Sequence, residues 1–516
     1  MNKRQSRLQS FCAKMTISRG VMLGLTMVLI SGCAVGPDYQ RPAAPGVQRY
    51  TATAMSSTLA AGQGEAKQTL AIGANISASW WMLYQSKHLD QVLNQAIDNN
   101  PDLAAARATL AQAQQTLLQA RGSYYPQLDV NASARRQSSN NISSNTAYTN
   151  LYSVGASINY NIDLFGGNRR RVEQESALLA YQHYQLAAAY LTLTGNAVTQ
   201  AITIASIRQQ ISTVNDIIKD DEHNLKLVKL KYRAGKAARS DVLSAESQLA
   251  NDQVQLPSLK QQLNVAQHAL SVLVGKFPAQ WPAPEFKLDE FSLPATIPLS
   301  VPSALVRQRP DILAAESQLH ADSAAIGVAA SQLYPNIQLS STLGVQSLTT
   351  ANLFQSTNKF WSLVASLTAP IFHGGELAAQ KQAAIYAFRA SAAKYQKTVL
   401  SAFAQVADQL RALAHDAELV DAQKNAMETS LASLKLQRLS YEAGKADLLQ
   451  LLDAERAYQQ ARLGYARALT QRFQDSAKLF VAMGGGWWQV RDLADMPPKA
   501  HSGMQPVDDR QTTGMH

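Results

Sequence analysis

The 483 residues that follow Cys33 contain no cysteine, which excludes a disulfide scaffold, a thiolate zinc site and a cysteine nucleophile. Charge is sparse as well: 16% of the 516 residues are charged and 46% are hydrophobic. The net charge of +10 is half an N-terminal effect. Lys3, Arg4, Arg7, Lys14 and Arg19 have no acid beside them, and the remainder, with 42 basic and 37 acidic groups, carries +5. No nucleic-acid partner is expected from that balance. Beyond residue 32 no apolar run reaches 18 residues, so no transmembrane helix is available and any membrane crossing must use strands. Proline is absent from 127 to 256 and from 371 to 496, and Pro278, Pro282, Pro284, Pro294, Pro298, Pro302 and Pro310 crowd the interval.

The prolines divide the chain into two halves, and superposing them at a shift of 209 reveals an internal duplication. Pro101-Asp102 matches Pro310-Asp311, and Tyr125-Pro126 matches Tyr334-Pro335. From 224 to 246, 12 of 23 positions are identical, including Ala234-Gly235-Lys236 against Ala443-Gly444-Lys445. The expected organisation follows from these marks. Residues 1–32 form a signal peptide, 33–100 an N-terminal lipid-anchored and equatorial segment, 101–277 the first repeat, 278–309 a Pro-rich linker, 310–486 the second repeat and 487–516 a polar, disordered tail.

At the N-terminus a basic stretch precedes the apolar run Val21 to Ile30, and Ser31-Gly32 place small residues before Cys33. This resembles a bacterial lipoprotein signal, with Cys33 as the acylated first residue of the mature chain. Ala34 follows, and lipoproteins of that kind without an aspartate there go to the outer membrane.

Within a repeat, Leu103 to Gly122 is rich in Ala, Leu and Gln and predicts a helix starting near Pro101. Leu128, Val130, Ala132 and Ala134 then alternate with polar residues, and so do Tyr152, Val154, Ala156, Ile158, Tyr160 and Ile162 beyond a polar loop at 138–147. That period of two predicts a hairpin over about 127–163. The second repeat predicts another over about 336–370, so the chain has four strands of about ten residues with one apolar face each.

After each hairpin everything reads as helix. Asn168 to Arg233 is 66 residues without proline, ~100 Å of helix at 1.5 Å per residue. Ile204, Ile207, Ile211, Val214, Ile218, Leu225, Val228 and Tyr232 give it a coiled-coil seam with one miss at Asp221. In the second copy Leu413, Val420, Met427, Leu431, Leu434 and Tyr441 hold that register, interrupted by Lys424 and Arg438. Gly235 and Gly444 should end the long helices, and returning helices should occupy about 240–275 and 447–483, the first kinked at Pro257.

Strands of this length and alternation suit an outer-membrane barrel. Four cannot close one, and open edges are not tolerated in hydrocarbon, so several copies must share the barrel. The fold class is mainly α with a β part. The nine histidines show no ligand spacing, and neither a nucleophile elbow nor a phosphate loop appears, so no enzyme activity, metal or cofactor is expected.

Taken in order, Cys33, Trp80-Trp81, Asn100-Pro101-Asp102-Leu103, Tyr125-Pro126, Asp163-Leu164-Phe165-Gly166-Gly167, Arg309-Pro310-Asp311-Ile312, Tyr334-Pro335, Pro370-Ile371-Phe372-His373-Gly374-Gly375 and Gly484-Gly485-Gly486-Trp487 resemble the TolC-like outer-membrane efflux proteins. Within them the likeness is to the lipoprotein (NodT/OprM-type) outer-membrane factors of resistance-nodulation-division pumps. The resemblance implies a homotrimer, a twelve-stranded barrel continuous with a long periplasmic α-helical barrel, a periplasmic adaptor and an inner-membrane pump. It also implies a gate at Asp241, Tyr441 and Asp453, and adaptor contacts at the tips Gly235, Lys236, Gly444 and Lys445. Ala446 and Gln450 stand where some relatives carry a gate arginine and a second aspartate. Alternative readings are a type I secretion duct and a lipid-anchored coiled-coil spacer or adhesin.

Overall fold

The computed structural model describes residues 34–53, 58–59, 68–140 and 146–490. Cys33, and residues 491–516 of the expected tail, lie outside the described residues. Strands β1 (Thr58–Leu59) and β2 (Gln68–Ile72) come first, followed by helices α1 (Lys87–Asn99) and α2 (Pro101–Gly122). Strands β3 (Gln127–Asn140) and β4 (Thr146–Ile162) lead into the long helix α3 (Gly167–Arg233), then α4 (Arg239–Gln253) and α5 (Gln255–Leu273). The second half runs β5 (Thr296–Leu299), α6 (Pro302–Gln308), α7 (Pro310–Ser331), β6 (Asn336–Ser347), β7 (Lys359–Thr368), α8 (Glu376–Glu442) and α9 (Leu448–Ala482). Among the described residues no helix is long and apolar enough to cross a membrane.

The duplication is carried into the backbone at the same offset. α3 and α8 are each 67 residues long, ~100 Å, and start and end 209 positions apart. Both end in a Schellman turn. Gly235 (φ 68°) and Gly444 (φ 70°) take the left-handed conformation, and Lys236 N–H and Lys445 N–H reach back to Lys231 O and Ser440 O, each at 2.8 Å.

The returning helices differ between the copies. The first is interrupted at Val254, three residues before Pro257, which therefore sits in the opening turn of α5 where its missing N–H costs nothing. The second, α9, runs 35 residues unbroken.

Two compact units divide the chain. One holds residues 34–41, Gln112–Tyr181 and Ala315–Tyr395, including the four-stranded sheet β3-β4-β6-β7. In it Asp163 caps the start of α3, its carboxylate accepting from Asn168 N–H at 3.1 Å and Arg169 N–H at 3.0 Å. Residues 34–41 lie along the same unit. Val35 N–H donates to Phe165 O at 3.0 Å, buried Arg170 donates to Val35 O at 3.2 Å and to Asp38 at 2.6 Å, and Tyr39 stacks on His320 at 4.2 Å.

The other unit holds Pro42–Ala111, Gln182–Ala314 and the chain from Gln396 onward. Its aromatic core joins Trp80, stacked on Phe480 at 5.3 Å, to Tyr84, Phe291 and Phe473. The Tyr84 hydroxyl donates to Phe473 O at 3.0 Å, and burial pushes its phenol pKa up. Segments flanking the core are more ordered than their composition suggests. β2 pairs in parallel with β5, inside the Pro-rich interval, which also buries Phe286, Ile297 and Leu305. Equivalent junctions close the two repeats: Asn100 Nδ2 donates to Leu273 O at 2.9 Å, and Arg309 donates to Ala482 O at 2.7 Å. Both donors and both acceptors are 209 positions apart.

Candidate functional site

The sheet is fully antiparallel, and its register lines up the apolar rows. Leu128 faces Ile158, Val130 faces Ala156, Ala156 faces Leu343, and Leu343 faces Trp361. The row one position over is polar, with Asn131 Nδ2 donating to Ser157 Oγ at 3.1 Å and the Ser133 and Ser153 hydroxyls 2.8 Å apart. The apolar face has no core beneath it. Val130 is 76% exposed, Trp361 76% and Leu363 71%, which for side chains of this size describes a surface made for something other than water. Among the described residues, β3 and β7 have no partner on their outer edges. In hydrocarbon each unpaired backbone group would cost several kcal/mol, about the cost of burying an amide without a partner. The strands are 14, 17, 12 and 10 residues long, the first pair longer than expected because much of the polar 138–147 segment continues the ladder.

The second candidate region is the pair of helix tips, both in the unit that starts at Pro42. Beside them Val228 and Val242 pack with Leu434, Tyr441, Leu448 and Leu451 in one apolar cluster. Tyr441 belongs to this cluster, and the Lys231 ammonium lies 3.5 Å from its ring centroid and donates to its carbonyl at 3.3 Å. Burial, followed by the Asp241 charge, raises the Tyr441 phenol pKa. Asp241 accepts from Ala238 N–H at 2.9 Å, so it also caps α4. The geometry therefore brings Asp241 and Tyr441 together electrostatically. Asp453 is largely exposed on α9, with Arg456 at 3.2 Å. At the expected departures, Gln450 gives its backbone N–H to the capping Asp447 at 2.8 Å, and Ala446 packs against the apolar cluster. Gly235 and Gly444 have open space around them, and Lys236 and Lys445 are exposed.

Sequence reasoning missed two buried acid clusters in the same unit. Asp221, Asp252 and Glu455 are 3%, 5% and 3% exposed, with Asn224 donating to Glu455 and Arg438 reaching it at 3.4 Å. Burial and the neighbouring Asp252 push the Asp221 carboxyl up to about 8, and burial raises Glu455. In the second cluster, burial and the charge of Asp475 push Asp416 up to about 7. The one signal for the first cluster was Asp221 itself, the charged miss in the apolar seam. Arg438, read as an interruption of the second seam, is its counter-charge.

Comparison with known proteins agrees with this geometry. A family model described as outer membrane efflux protein matches residues 92–276 and 301–485, two stretches separated by the same 209 positions. The chain is 29% identical over 457 residues to the pyoverdine export outer membrane protein OpmQ of Pseudomonas aeruginosa, covering 87% of this chain and 92% of that protein. It is 30% identical to nodulation protein T of Rhizobium leguminosarum bv. viciae, with 89% and 92% covered. The solved outer-membrane channel OprN superposes with a TM-score of 0.80 at 25% identity, covering 88% of this chain and all of that one.

Proposed function

The chain belongs to the outer membrane efflux protein family, and from that premise we propose that it is the outer-membrane duct of a tripartite efflux system, a passive exit for small toxic compounds. The observation that carries the reading is the four-stranded sheet with a bare apolar face and two unpaired edges. In this proposal three copies pool their strands into a twelve-stranded barrel, closing every edge within the hydrocarbon. Acylation of Cys33 adds a lipid anchor directly before the segment that Arg170 and His320 hold. The exposed turns at Gly235-Lys236 and Gly444-Lys445 meet the periplasmic adaptor, and an inner-membrane pump supplies the energy.

Tyr441, Asp241 and Asp453 govern the periplasmic aperture. Since Tyr441 is held under Lys231 inside its own chain, opening requires the helix pairs to shift as packed bodies. Copies of the exposed Asp453 around a narrow end would focus a negative field and favour cations. A wide duct selects little, so substrate choice rests with the pump.

Reconstituting the purified protein in planar bilayers tests the reading. Discrete conductance steps are expected, together with drug and detergent hypersensitivity when the gene is deleted. A chain that never conducts, with unchanged susceptibility on deletion, would mark a lipid-anchored spacer instead.

A further inference from the structure

One end of the apolar face carries charge and the other does not. Its rows run Leu128, Val130, Ala132, Ala134, Arg136 on β3 and Leu367, Ala365, Leu363, Trp361, Lys359 on β7. Strict alternation keeps Arg136 and Lys359 on the apolar side, whereas Arg135 belongs to the polar one. In the other direction the rows continue to Pro126, Ala369 and Ile371 without a charge.

The two cations occupy one level of the duplication. Arg136 pairs with Asn150 and Val345 with Lys359, and the two rungs are 209 positions apart on both strands. The cation has changed strand between the copies; its level has not. On the next rung of the same face Ala134 pairs with Tyr152 and Leu343 with Trp361, so each hairpin sets an aromatic residue just inside its cation.

That level falls at the edge of the hydrocarbon. Leu128 to Arg136, and Leu367 to Lys359, are steps of eight residues, ~26 Å along a strand and ~20 Å once the strand tilts by about 40°. The apolar band of an outer-membrane barrel is ~25 Å tall, and a long cationic side chain extends over the remainder. The long helices follow β4 and β7, so in the proposed duct the opposite strand ends, with Arg136 and Lys359, face the cell exterior.

No acid of the sheet matches these charges. Residues 130–162 and 336–375 contain neither Asp nor Glu. The Arg136 guanidinium carbon lies 5.3 Å from the centroid of the Tyr148 ring, itself 67% exposed, a contact that orients the fork without neutralising it. Cations at the rim of hydrocarbon with no carboxylate beside them draw their counter-ions from the membrane.

We infer that Arg136 with Tyr148, and Lys359 beside Trp361, bind the phosphate groups of the phosphorylated glycolipid in the outer leaflet. The guanidinium grips two phosphate oxygens and the ammonium acts as a point charge, while Tyr152 and Trp361 lie against the upper acyl chains. The inference rests on the reading that the sheet is the lipid-facing wall of a shared barrel, and it deepens that reading by naming the lipid.

Binding of radiolabelled bis-phosphorylated lipid A to the detergent-solubilised oligomer tests it. Unlabelled lipid A should displace the label, and lipid A stripped of its phosphates should not. R136Q and K359Q should weaken binding about fivefold for each cation removed, and R136K with K359R should retain it. Arg135→Gln, one residue away on the polar row, should leave it unchanged. Equal displacement by the stripped lipid or by phosphatidylglycerol would overturn the assignment to a phosphorylated glycolipid. Equal weakening by Arg135→Gln would overturn the placement on the apolar face. An oligomer without any of these preferences would remove the site alone; a chain that stays monomeric and dispersed without detergent would remove the lipid-facing wall and the site together.

Discussion

The two repeats share a backbone and differ in how it is held. At the close of the first, the side-chain amide of Asn100 donates one bond to Leu273 O. At the equivalent place Arg309, 7% exposed, donates to Ala482 O, to both oxygens of Asp311 at 2.6 and 3.0 Å, and to Gln405 at 2.8 Å. At the turn into the long helix the first copy has Asp163 as a cap and Ala34 against Gly166, while the second has Phe372, 86% exposed, and open space around Gly375. Hairpin register, the length of the long helices and the Schellman turns are unchanged, because a ring of equal units needs them equal. Fastenings are free to diverge, since each acts within its own copy.

The largest effect is expected where that divergence is greatest. Arg309→Ala removes four hydrogen bonds made by a buried guanidinium, to Ala482 O, to both oxygens of half-exposed Asp311 and to Gln405, and should cost about 3–5 kcal/mol, on the order of 1 kcal/mol for each bond, read as a fall in the thermal midpoint of the detergent-solubilised protein. Asn100→Ala, the same position one repeat earlier, also removes the Oδ1 that accepts from Leu103 N–H at 3.0 Å at the start of α2, and should cost only about 1–2 kcal/mol, as for a lost cap and one hydrogen bond. Equal losses at both positions would end the claim that the repeats are fastened differently.

Between these two in size is a change to the apolar face. Leu343→Arg should cost about 2–4 kcal/mol near the bilayer midplane and deplete the oligomer from outer-membrane fractions. Thr342→Arg, on the polar row, should not. A comparable depletion by Thr342→Arg would mean that the sheet has no lipid side.

At the tips, Gly444→Asp introduces a side chain at φ 70° with no steric neighbour, so strain of order 1–2 kcal/mol should leave oligomer yield intact while efflux is abolished. Normal drug resistance in that variant would separate the turn from the adaptor.

The smallest effect is a slope. Since the folded-state pKa of Asp221, about 8, lies above its ordinary 3.8, the stability linked to its proton is fully present below about pH 4 and is lost as the pH rises to about 8. Asp221→Asn should flatten the pH dependence of the melting midpoint across that window, with the variant gaining most on the wild type at the alkaline end. An unchanged slope would show that the proton resides elsewhere in the cluster.

Much of this was legible in the chain itself. The alternation in 128–134 and 337–345 gave the strand faces, because side chains alternate strictly across a sheet, and the glycines at 235 and 444 gave the turns, because few other residues accept that φ. The parallel pairing of β2 with β5 was hidden, since two short strands more than 200 residues apart leave no local period. Helix α1 was passed over as part of a lipid-anchored segment although Ser86 caps it, accepting from Leu89 N–H at 3.1 Å. The Val254 break was placed at Pro257 because proline disrupts the residues before it, not its own position. Asp221 showed only as a fault in the seam; that the fault was a buried acid cluster required Asp252 and Glu455, which come from two other helices.

The central claim is that the open sheet edges are sealed by further copies of the same chain. Native mass spectrometry of the mature protein, extracted from outer membranes in mild detergent and released in the gas phase, measures this most directly. Three chains per particle is the expected mass; a single chain, stable and dispersed without detergent, would contradict the account.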